Sequence, residues 1–423
     1  MNCLKGAARY AAAQHKPEEL PMAFVVPDAL RGERQIDVLR RGTIVGLIAF
    51  LTLIDLFGAQ ALLPRLTEAY GVDAATMGFA VNASTIGMAI SGLAVAWFSD
   101  RIDRKRGLWV SLACLSVPTA RLGVTDNVTV FLLLRIAQGV FMAAAFTLTM
   151  TYLSEQCDIT AAAGAMAAYI TGNVASNLFG RLMAASLADW VGVSGSFFAF
   201  AVLNLAGAAL AYSLIGPRLA RTGTPGSRPL EAWRAHLAVP ALRSAFAIGF
   251  LLLSVFVGVF TYVNFELAGP LGLAPGMLGL VYFVFLLAIF TTPVAGRVAR
   301  RYGAQRVFWG ASAVTVAGLA LMALPSLPAV LVGMAIVGAG TFFAQAAATG
   351  FVGRRAKRDH AAANGLYLTA YYLGGLTGAL LLGQLYALAG WPPTLAVLAL
   401  ALGVAAWLAR ALDEPLSPPS ETP

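Results

Sequence analysis

Long apolar stretches separated by short polar segments follow one another along the chain from residue 42 onwards. Each stretch is bounded by charged residues, proline or glycine and has about the 17 to 25 residues that cross a bilayer as a helix. Lipid offers the backbone no hydrogen-bond partners, and the stretches lack the alternating pattern of barrel strands. The pattern therefore predicts an all-α membrane protein with twelve transmembrane helices, near residues 42–63, 77–98, 107–124, 128–151, 161–186, 194–215, 243–266, 274–295, 307–324, 328–350, 361–387 and 392–411.

The apolar stretches are organised as a repeat. A basic cluster, SDRIDRKR from Ser99 to Arg106, aligns at an offset of 200 with GRVARRYGAQR from Gly296 to Arg306. The fifth stretch, with YITGNVASNLFGR at 169–181, aligns at an offset of 198 with YLTAYYLGGLTGA at 367–379 in the eleventh. Two matches of this kind predict two pseudo-symmetric six-helix bundles, an arrangement in which transporters place their working site between the halves.

The longest interior polar segment, from Gly216 to Pro240, is rich in proline, glycine and arginine and separates the two halves. It fixes the predicted domain boundaries. We expect an N-terminal tail (1–41), a first bundle (42–215), a linker (216–242), a second bundle (243–411) and a C-terminal tail (412–423).

The distribution of charge adds the orientation of the predicted helices in the membrane. Of the residues, 59% are hydrophobic and 12% charged, and the net charge is +9. With the N-terminus placed inside, 25 of the 29 lysines and arginines fall in the tails and loops of that side. This bias predicts that both termini are cytoplasmic, and it explains the basicity without a nucleic-acid partner.

Three charged residues lie deep within predicted helices, where an unpaired charge costs about 2.5 to 3.5 kcal/mol or more. Asp55 lies about 18 Å from the cytoplasmic start of helix one, and Arg135 lies about 10 Å below the outer start of helix four. In a bilayer core of about 30 Å these depths nearly coincide. The depths predict an Asp55–Arg135 ion pair or a water-bridged contact. Two roles stay open at this point: a titrating carboxylate that couples transport to protons, and a permanent structural pair.

The third charge, Arg181, shares one face of helix five with Asn173 and Asn177, and we expect these three side chains to line a cavity. Helices seven and eleven supply Tyr262, Asn264, Tyr367 and Tyr371, for which helix packing is the alternative. Further polar candidates for the substrate path are Gln60, Gln138 and Gln345.

The sequence contains no recognisable set of catalytic or metal-binding residues. His15, His236 and His360 fall in tails or loops, and the three cysteines (Cys3, Cys114 and Cys157) form neither a disulfide framework nor a metal spacing. No GxxxxGK(S/T) motif is present, so energy has to come from an ion gradient. We expect no enzyme activity, no cofactor and no metal.

Two motifs carry a resemblance to a known family. The loop after helix two has charged positions of the form DRxGRR at Asp100, Arg101, Arg104 and Lys105. Helix four matches RxxQG through Arg135, Gln138 and Gly139. Over residues 42–411 the chain resembles the Major Facilitator Superfamily, and among its members it is most similar to bacterial twelve-helix efflux permeases of the proton-antiporter type.

The sequence departs from the family pattern at several positions. Ala96 and Asp103 replace two loop glycines, and Arg300 stands where the second copy would have its aspartate. In helix five the antiporter signature keeps Gly172 and Gly180, but Ser176, Asn177 and Arg181 replace its other glycine and proline positions. The resemblance implies a cytoplasmic gate formed by Asp100, Arg101, Arg104, Lys105, Arg300 and Arg301.

These observations together predict a transporter of the bacterial inner membrane that acts as a monomer. We expect it to export a small organic molecule in exchange for protons, with Asp55 and Arg135 handling the proton. Proton-coupled uptake of an organic anion is the alternative, because two arginines and only one carboxylate lie deep in the membrane. A receptor built on the same fold, without transport activity, is the remote alternative.

Overall fold

A computed structural model describes residues 28–98, 102–156, 159–214, 229–274, 277–356 and 360–412. Every regular element in these ranges is a helix. Twelve membrane spans account for most of them and confirm the predicted all-α architecture of two six-helix bundles. The spans are Asp28–Ala61 (span one), Ala74–Asn82 with Ser84–Phe98 (two), Arg104–Leu122 (three), Val128–Gln156 (four), Ile159–Leu214 (five and six), Pro240–Ala268 (seven), Leu280–Phe285 with Leu286–Tyr302 (eight), Ala304–Met322 (nine), Leu327–Arg355 (ten), His360–Ala389 (eleven) and Trp391–Leu408 (twelve).

Several boundaries differ from the sequence expectation. The first helix begins at Asp28, inside the segment predicted as a tail up to residue 41. Spans five and six form one continuous helix that is interrupted only at Gly192, whose φ of 73° favours glycine. Span eight begins as a 3₁₀ helix, Leu280–Phe285, before it becomes α-helical. Short helices at Leu63–Tyr70 and Pro229–Ala238 lie outside the twelve spans.

Length and hydropathy alone identify eight helices among the described residues as able to cross a membrane. Three features explain why the eight are fewer than the twelve spans. The segment Gly172–Leu214 contains spans five and six together, and the apolar part of span eight, Leu280–Thr292, is short. Spans three and nine carry basic residues in their first turn, which lowers their mean hydropathy.

Helix pairing follows the same plan within each half. In the first half, span two packs on span four, and span three packs on span four and on the helix of spans five and six. In the second half, span seven packs on span eleven, and span ten packs on spans eight and nine. Between the halves, span eleven packs on span two, and the helix of spans five and six packs on span eight.

Glycines set the closest helix contacts. A Cβ atom added at Gly139 in span four would lie 1.8 Å from the carbonyl oxygen of Ser84 in span two. The contact is reciprocal, because a Cβ at Gly87 in span two would lie 1.9 Å from the carbonyl oxygen of Ile136. Small residues at such positions let transmembrane helices approach closely. Spans two and four are therefore joined backbone to backbone.

We predict that Gly139→Ala destabilises the protein, since the added methyl group forces spans two and four apart. Overpacking of this kind costs about 1 to 3 kcal/mol. Gly403→Ala is the matched control, because Gly403 is exposed on span twelve and a Cβ there meets nothing within 4 Å. Thermal unfolding of the detergent-purified variants should show a lower melting temperature for Gly139→Ala alone, and equal melting temperatures would contradict the packing argument.

A second prediction concerns Asp73, which caps the helix Ala74–Asn82. Its carboxylate accepts hydrogen bonds from the Thr76 backbone nitrogen (2.8 Å) and hydroxyl (2.7 Å). Both bonds lower the pKa of Asp73, and the bond from the Thr76 hydroxyl has the larger effect. Asp73→Ala should cost about 0.5 to 2 kcal/mol at pH 7, whereas Asp73→Asn should keep most of the cap.

The pH dependence of the Asp73 cap follows from the direction of its pKa shift. A lowered folded-state pKa means that the ionised cap stabilises the fold above the unfolded pKa of about 3.9 and loses that contribution as the pH falls through the folded value. Melting curves from pH 7 to pH 3 should show the wild-type advantage over Asp73→Ala shrinking at the acidic end. The advantage of Asp73→Asn over Asp73→Ala should stay constant, since the amide does not titrate.

Candidate functional site

The two ends of the bundle are named here by the helices that meet there. Each half has six spans, so span one starts and span six ends, at Leu214, on the same side, which we call the proximal end. The opposite side, where span one ends at Ala61, is the distal end. On the proximal side lie the loops that the sequence predicts to be cytoplasmic.

A cavity of about 60 Å³ lies between the two halves. Most of its wall is apolar or aromatic, and four of the predicted path residues line it: Gln60, Asn173, Gln345 and Tyr371. Apolar lining residues that the sequence analysis did not single out include Phe57, Phe146, Phe256 and Phe342. A mostly apolar cavity with few polar groups is typical of sites for small organic molecules.

Asp55 does not line the cavity; it lies inside the first bundle and is fully buried. Three side chains reach one of its oxygens, Oδ2: the hydroxyl of Thr119 (3.0 Å), the amide of Gln138 (3.1 Å) and the amide of Asn204 (3.1 Å). The other oxygen, Oδ1, has no hydrogen-bond partner in the described part of the chain. The carboxylate is thus held from one side and unpartnered on the other.

Arg135, also fully buried, is fixed by spans one, two and four. Its Nε donates to the carbonyl of Val81 (2.8 Å), its Nη2 to the hydroxyl of Ser84 (3.3 Å) and its Nη1 to the side-chain oxygen of Gln138 (2.6 Å). Arg135 and Gln138 are three residues apart and therefore share a face of span four.

The predicted contact between Asp55 and Arg135 is made through a third residue. No ion pair within 4 Å joins the two side chains, although Arg135 Nη1 reaches the Asp55 backbone carbonyl at 3.5 Å. Gln138 bridges them, because it accepts from Arg135 and donates to Asp55 Oδ2. The two charges therefore interact through the amide of Gln138 rather than in direct contact.

A second buried cation, Arg181, lies where the two halves meet towards the distal end. Its Nε donates to Asn177 (3.0 Å), its Nη2 to the side-chain oxygen of Gln60 and its Nη1 to the carbonyl of Phe260 in the second half (3.2 Å). Four aromatic rings surround the guanidinium, at centroid distances of 4.3 Å for Tyr282, 5.6 Å for Phe260 and Phe285, and 5.8 Å for Phe57.

The hydrogen bonds of Arg181 continue as a polar layer across the two halves. Gln60 donates to Asn82 (2.7 Å), which donates to the hydroxyl of Thr261 in span seven (3.1 Å). Asn264 donates to the carbonyl of Gln60 (3.3 Å) and accepts from the hydroxyl of Tyr282. Because Gln60 is also the most distal cavity residue of span one, this layer closes the cavity on its distal side.

Two predicted path tyrosines do not line the cavity in the described part of the chain. The hydroxyl of Tyr262 donates to the carbonyl of Ala379 (2.6 Å) and thus joins spans seven and eleven. The ring of Tyr367 packs on Gly249 and stacks on Tyr371, at 6.1 Å between centroids. Both contacts are of the packing type that the sequence analysis left as the alternative.

The predicted gate residues are only partly described. Asp100, Arg101 and the side chain of Arg300 lie outside the described residues. Arg104 is buried and donates to the carbonyl of Ile102 (3.2 Å), Lys105 lies over the ring of Tyr212, and Arg301 lies over the ring of Tyr302. Asp103, which replaces a family glycine, caps span three by accepting from the backbone nitrogen of Arg106 (2.7 Å).

Several residues of the site were missed by the sequence analysis. Thr119 and Asn204 hold Asp55, Asn82 and Thr261 belong to the polar layer, and Tyr282 covers Arg181. The two asparagines had a usable signal, since an asparagine within an apolar span needs a partner. The described residues contain no group of three His, Cys, Asp or Glu side chains that could hold a metal.

Comparison with known proteins extends these observations. YybF of Bacillus subtilis (strain 168), an uncharacterised MFS-type transporter, is 28% identical over 380 residues, which cover 88% of this chain and 93% of that protein. YnfM of Escherichia coli (strain K12), an inner membrane transport protein, is 29% identical over 354 residues, with coverages of 83% and 85%.

Solved structures share the fold at low identity. A bacterial homologue of the human lysosomal transporter Spinster, in an inward-facing and occupied conformation, superimposes with a TM-score of 0.70 at 14% identity and covers 90% of this chain and 96% of its own. The human organic anion transporter MFSD10 gives 0.66 at 17% identity, with coverages of 89% and 99%. The family model of the Major Facilitator Superfamily matches residues 45–269 and 264–423. The chain therefore belongs to the Major Facilitator Superfamily and is a multi-pass membrane transporter.

Proposed function

We propose that the protein is a secondary active transporter that exports a small organic molecule from the cytoplasm in exchange for protons. The observation that carries the proposal is Asp55, the one fully buried carboxylate among the described residues, with one oxygen fixed and the other unpartnered. A buried, ionisable carboxylate inside a transporter's helix bundle is the group expected to exchange a proton as the cavity alternates between sides. The proposal assigns no catalytic residue, cofactor or metal.

The hydrogen bonds around Asp55 suggest how the proton is held. Oδ2 receives three donors, so an added proton would compete with them there, whereas Oδ1 is free to accept one. Protonation removes the negative charge opposite Arg135 and leaves that cation balanced only by dipoles. We infer that this imbalance links the protonation of Asp55 to the packing of spans one, two and four.

The substrate path in the proposal runs through the cavity. Gln60, Asn173, Gln345 and Tyr371 provide its polar groups, and the side-chain oxygen of Asn173 is buried without a partner. Alternating access requires that the polar layer around Arg181 and Gln60 separates when the distal side opens. On the proximal side, Arg104, Lys105 and Arg301 belong to the proposed gate together with Asp100, Arg101 and Arg300.

The orientation follows from charge. Because 25 of the 29 basic residues fall on the side of the termini, we propose that the termini and the proximal end face the cytoplasm of a bacterial cell. The similarity to an inner membrane transport protein of Escherichia coli supports the same membrane. A monomer suffices for the proposal, since both halves of the cavity come from one chain.

We predict that Asp55→Asn abolishes transport driven by a pH gradient but preserves substrate exchange without a gradient. The amide keeps the size of the carboxylate but does not take up a proton. The transported compound is chosen beforehand as the one that most raises the melting temperature of the purified protein in a panel of drugs, sugars and organic acids. Uptake of that compound into proteoliposomes is then measured with and without a pH gradient.

Glu266→Gln is the matched control, since this carboxylate of span seven is bound by the hydroxyl of Tyr386 near the distal end (3.0 Å). It should transport like the wild type under both conditions. Unchanged pH-driven transport in Asp55→Asn would show that Asp55 and Arg135 form a permanent structural pair.

The direction of transport gives a further prediction. With the protein reconstituted in a known orientation, export by antiport requires that the compound accumulates on the side from which protons flow. Accumulation on the side towards which protons flow would instead identify proton-coupled uptake. The orientation of the reconstituted protein can be determined by protease treatment directed at the residues beyond 412. The pH gradient is then imposed in either direction.

A further inference from the structure

Arg181 is a buried cation without a counter-charge. Its side chain is fully buried, and no ion pair within 4 Å joins it to a carboxylate in the described part of the chain. Its hydrogen-bond partners are a glutamine, an asparagine, a backbone carbonyl and the side chain of Tyr282, and none of them is a carboxylate. Burying a charge in this way is costly, and intramembrane charges therefore usually mark a functional site.

The neighbourhood of Arg181 offers donors that lack acceptors. A guanidinium has five N–H groups; three of those in Arg181 donate to the oxygens of Asn177, Phe260 and Gln60, and the side chain of Tyr282 is a further partner. The side-chain nitrogen of Asn177, next to the same guanidinium, is buried without a partner. Unfilled donors around a cation form a site for an anion, whose oxygens accept from several of them at once.

Gln60 and Phe57 separate this site from the transport cavity. Both residues line the cavity, while Gln60 accepts from Arg181 Nη2 and the Phe57 ring lies 5.8 Å from the guanidinium. A small displacement of the Gln60 side chain would therefore let a cavity-bound group reach Arg181. The cavity itself presents no lysine or arginine side chain among its described lining residues, whereas Arg181 lies directly behind two of them, Gln60 and Phe57.

We propose that Arg181 binds the carboxylate of an organic anion substrate, with Asn177 as the second donor, and that the side-chain oxygen of Gln60 holds the place that a carboxylate oxygen takes. The inference rests on the proposed function, because the anion reaches Arg181 only from the transport cavity. The cavity wall indicates the rest of the substrate. It includes Phe57, Phe146, Phe256 and Phe342, which favour an aromatic or apolar body. The predicted substrate class is thus an aromatic or apolar monocarboxylate.

The test compares acids with their uncharged amides. The probes are benzoate, 1-naphthoate and biphenyl-4-carboxylate, each measured beside its primary amide by thermal unfolding of the purified full chain. We expect at least one acid to raise the melting temperature where its amide does not, since only the acid pairs with Arg181. Equal effects of acid and amide, or no effect of any of the six compounds, would overturn the proposal.

Variants of Arg181 and Gln60 separate a binding role from a structural one. Arg181→Gln should weaken binding of the acid about 10- to 100-fold, the range of a lost charged hydrogen bond. Arg181→Lys should keep selectivity for the acid, because it keeps the charge. Gln60→Ala should strengthen binding of the acid, since it removes the competing acceptor; unchanged or weaker binding in Gln60→Ala would identify Arg181 as a purely structural link between the halves.

Two controls keep the outcomes distinct. Arg65→Gln removes a surface cation that pairs with Asp189 near the distal end, and it should leave binding of the acid unchanged. Asp55→Asn should also bind the acid in preference to the amide. Selective acid binding without proton coupling would contradict the proposed antiport alone, and proton coupling without acid selectivity would contradict the present inference alone.

Discussion

Buried charge in a lipid environment constrains this molecule more than any other interaction. A charge among apolar helices must find its partners within the protein, because the surrounding lipid offers none. Asp55 and Arg135 find their partners in a hydrogen-bond network that includes Gln138, Thr119 and Asn204. The network draws its side chains from four spans of the first bundle. The same side chains therefore hold spans one, three, four and six in register and form the group proposed to take up the proton, so that stability and coupling depend on one network.

Arg181 meets the same constraint differently. Its partners come from both halves, and aromatic rings replace the carboxylate that a buried cation would ordinarily have. Cation–π contacts of this kind contribute about 2 kcal/mol or more when they are desolvated. Because the rings of Phe260, Tyr282 and Phe285 belong to the second half, they leave the cation whenever the halves separate on the distal side. The closed arrangement thus satisfies a charge that the open arrangement exposes to water or to a ligand.

The sequence predicted the fold well because its signals are local. Apolar length and basic loops are each visible within about twenty residues, and the twelve spans lie near the predicted positions although several boundaries differ. The sequence predicted a break between spans five and six at residues 187–193, and the helix is interrupted there at Gly192 alone. The site could be predicted less well from the sequence, because it depends on how each helix is rotated about its axis. Equal depth brought Asp55 and Arg135 near each other, but only the rotation of span four places Gln138 between them.

The repeat also explains why the two halves differ in chemistry although they share a skeleton. Gly180 of span five packs on the backbone of Ile54 in span one, and Gly378 of span eleven packs on the backbone of Ser254 in span seven, at offsets of 198 and 200. The duplicated contact keeps the helix crossings alike, whereas Ala335 and Ala379 stand at the positions that align with Arg135 and Arg181. Since the crossings do not depend on these charges, the first half could carry them without disturbing the common plan. The second half supplies three of the four rings around Arg181, and the two contributions meet there.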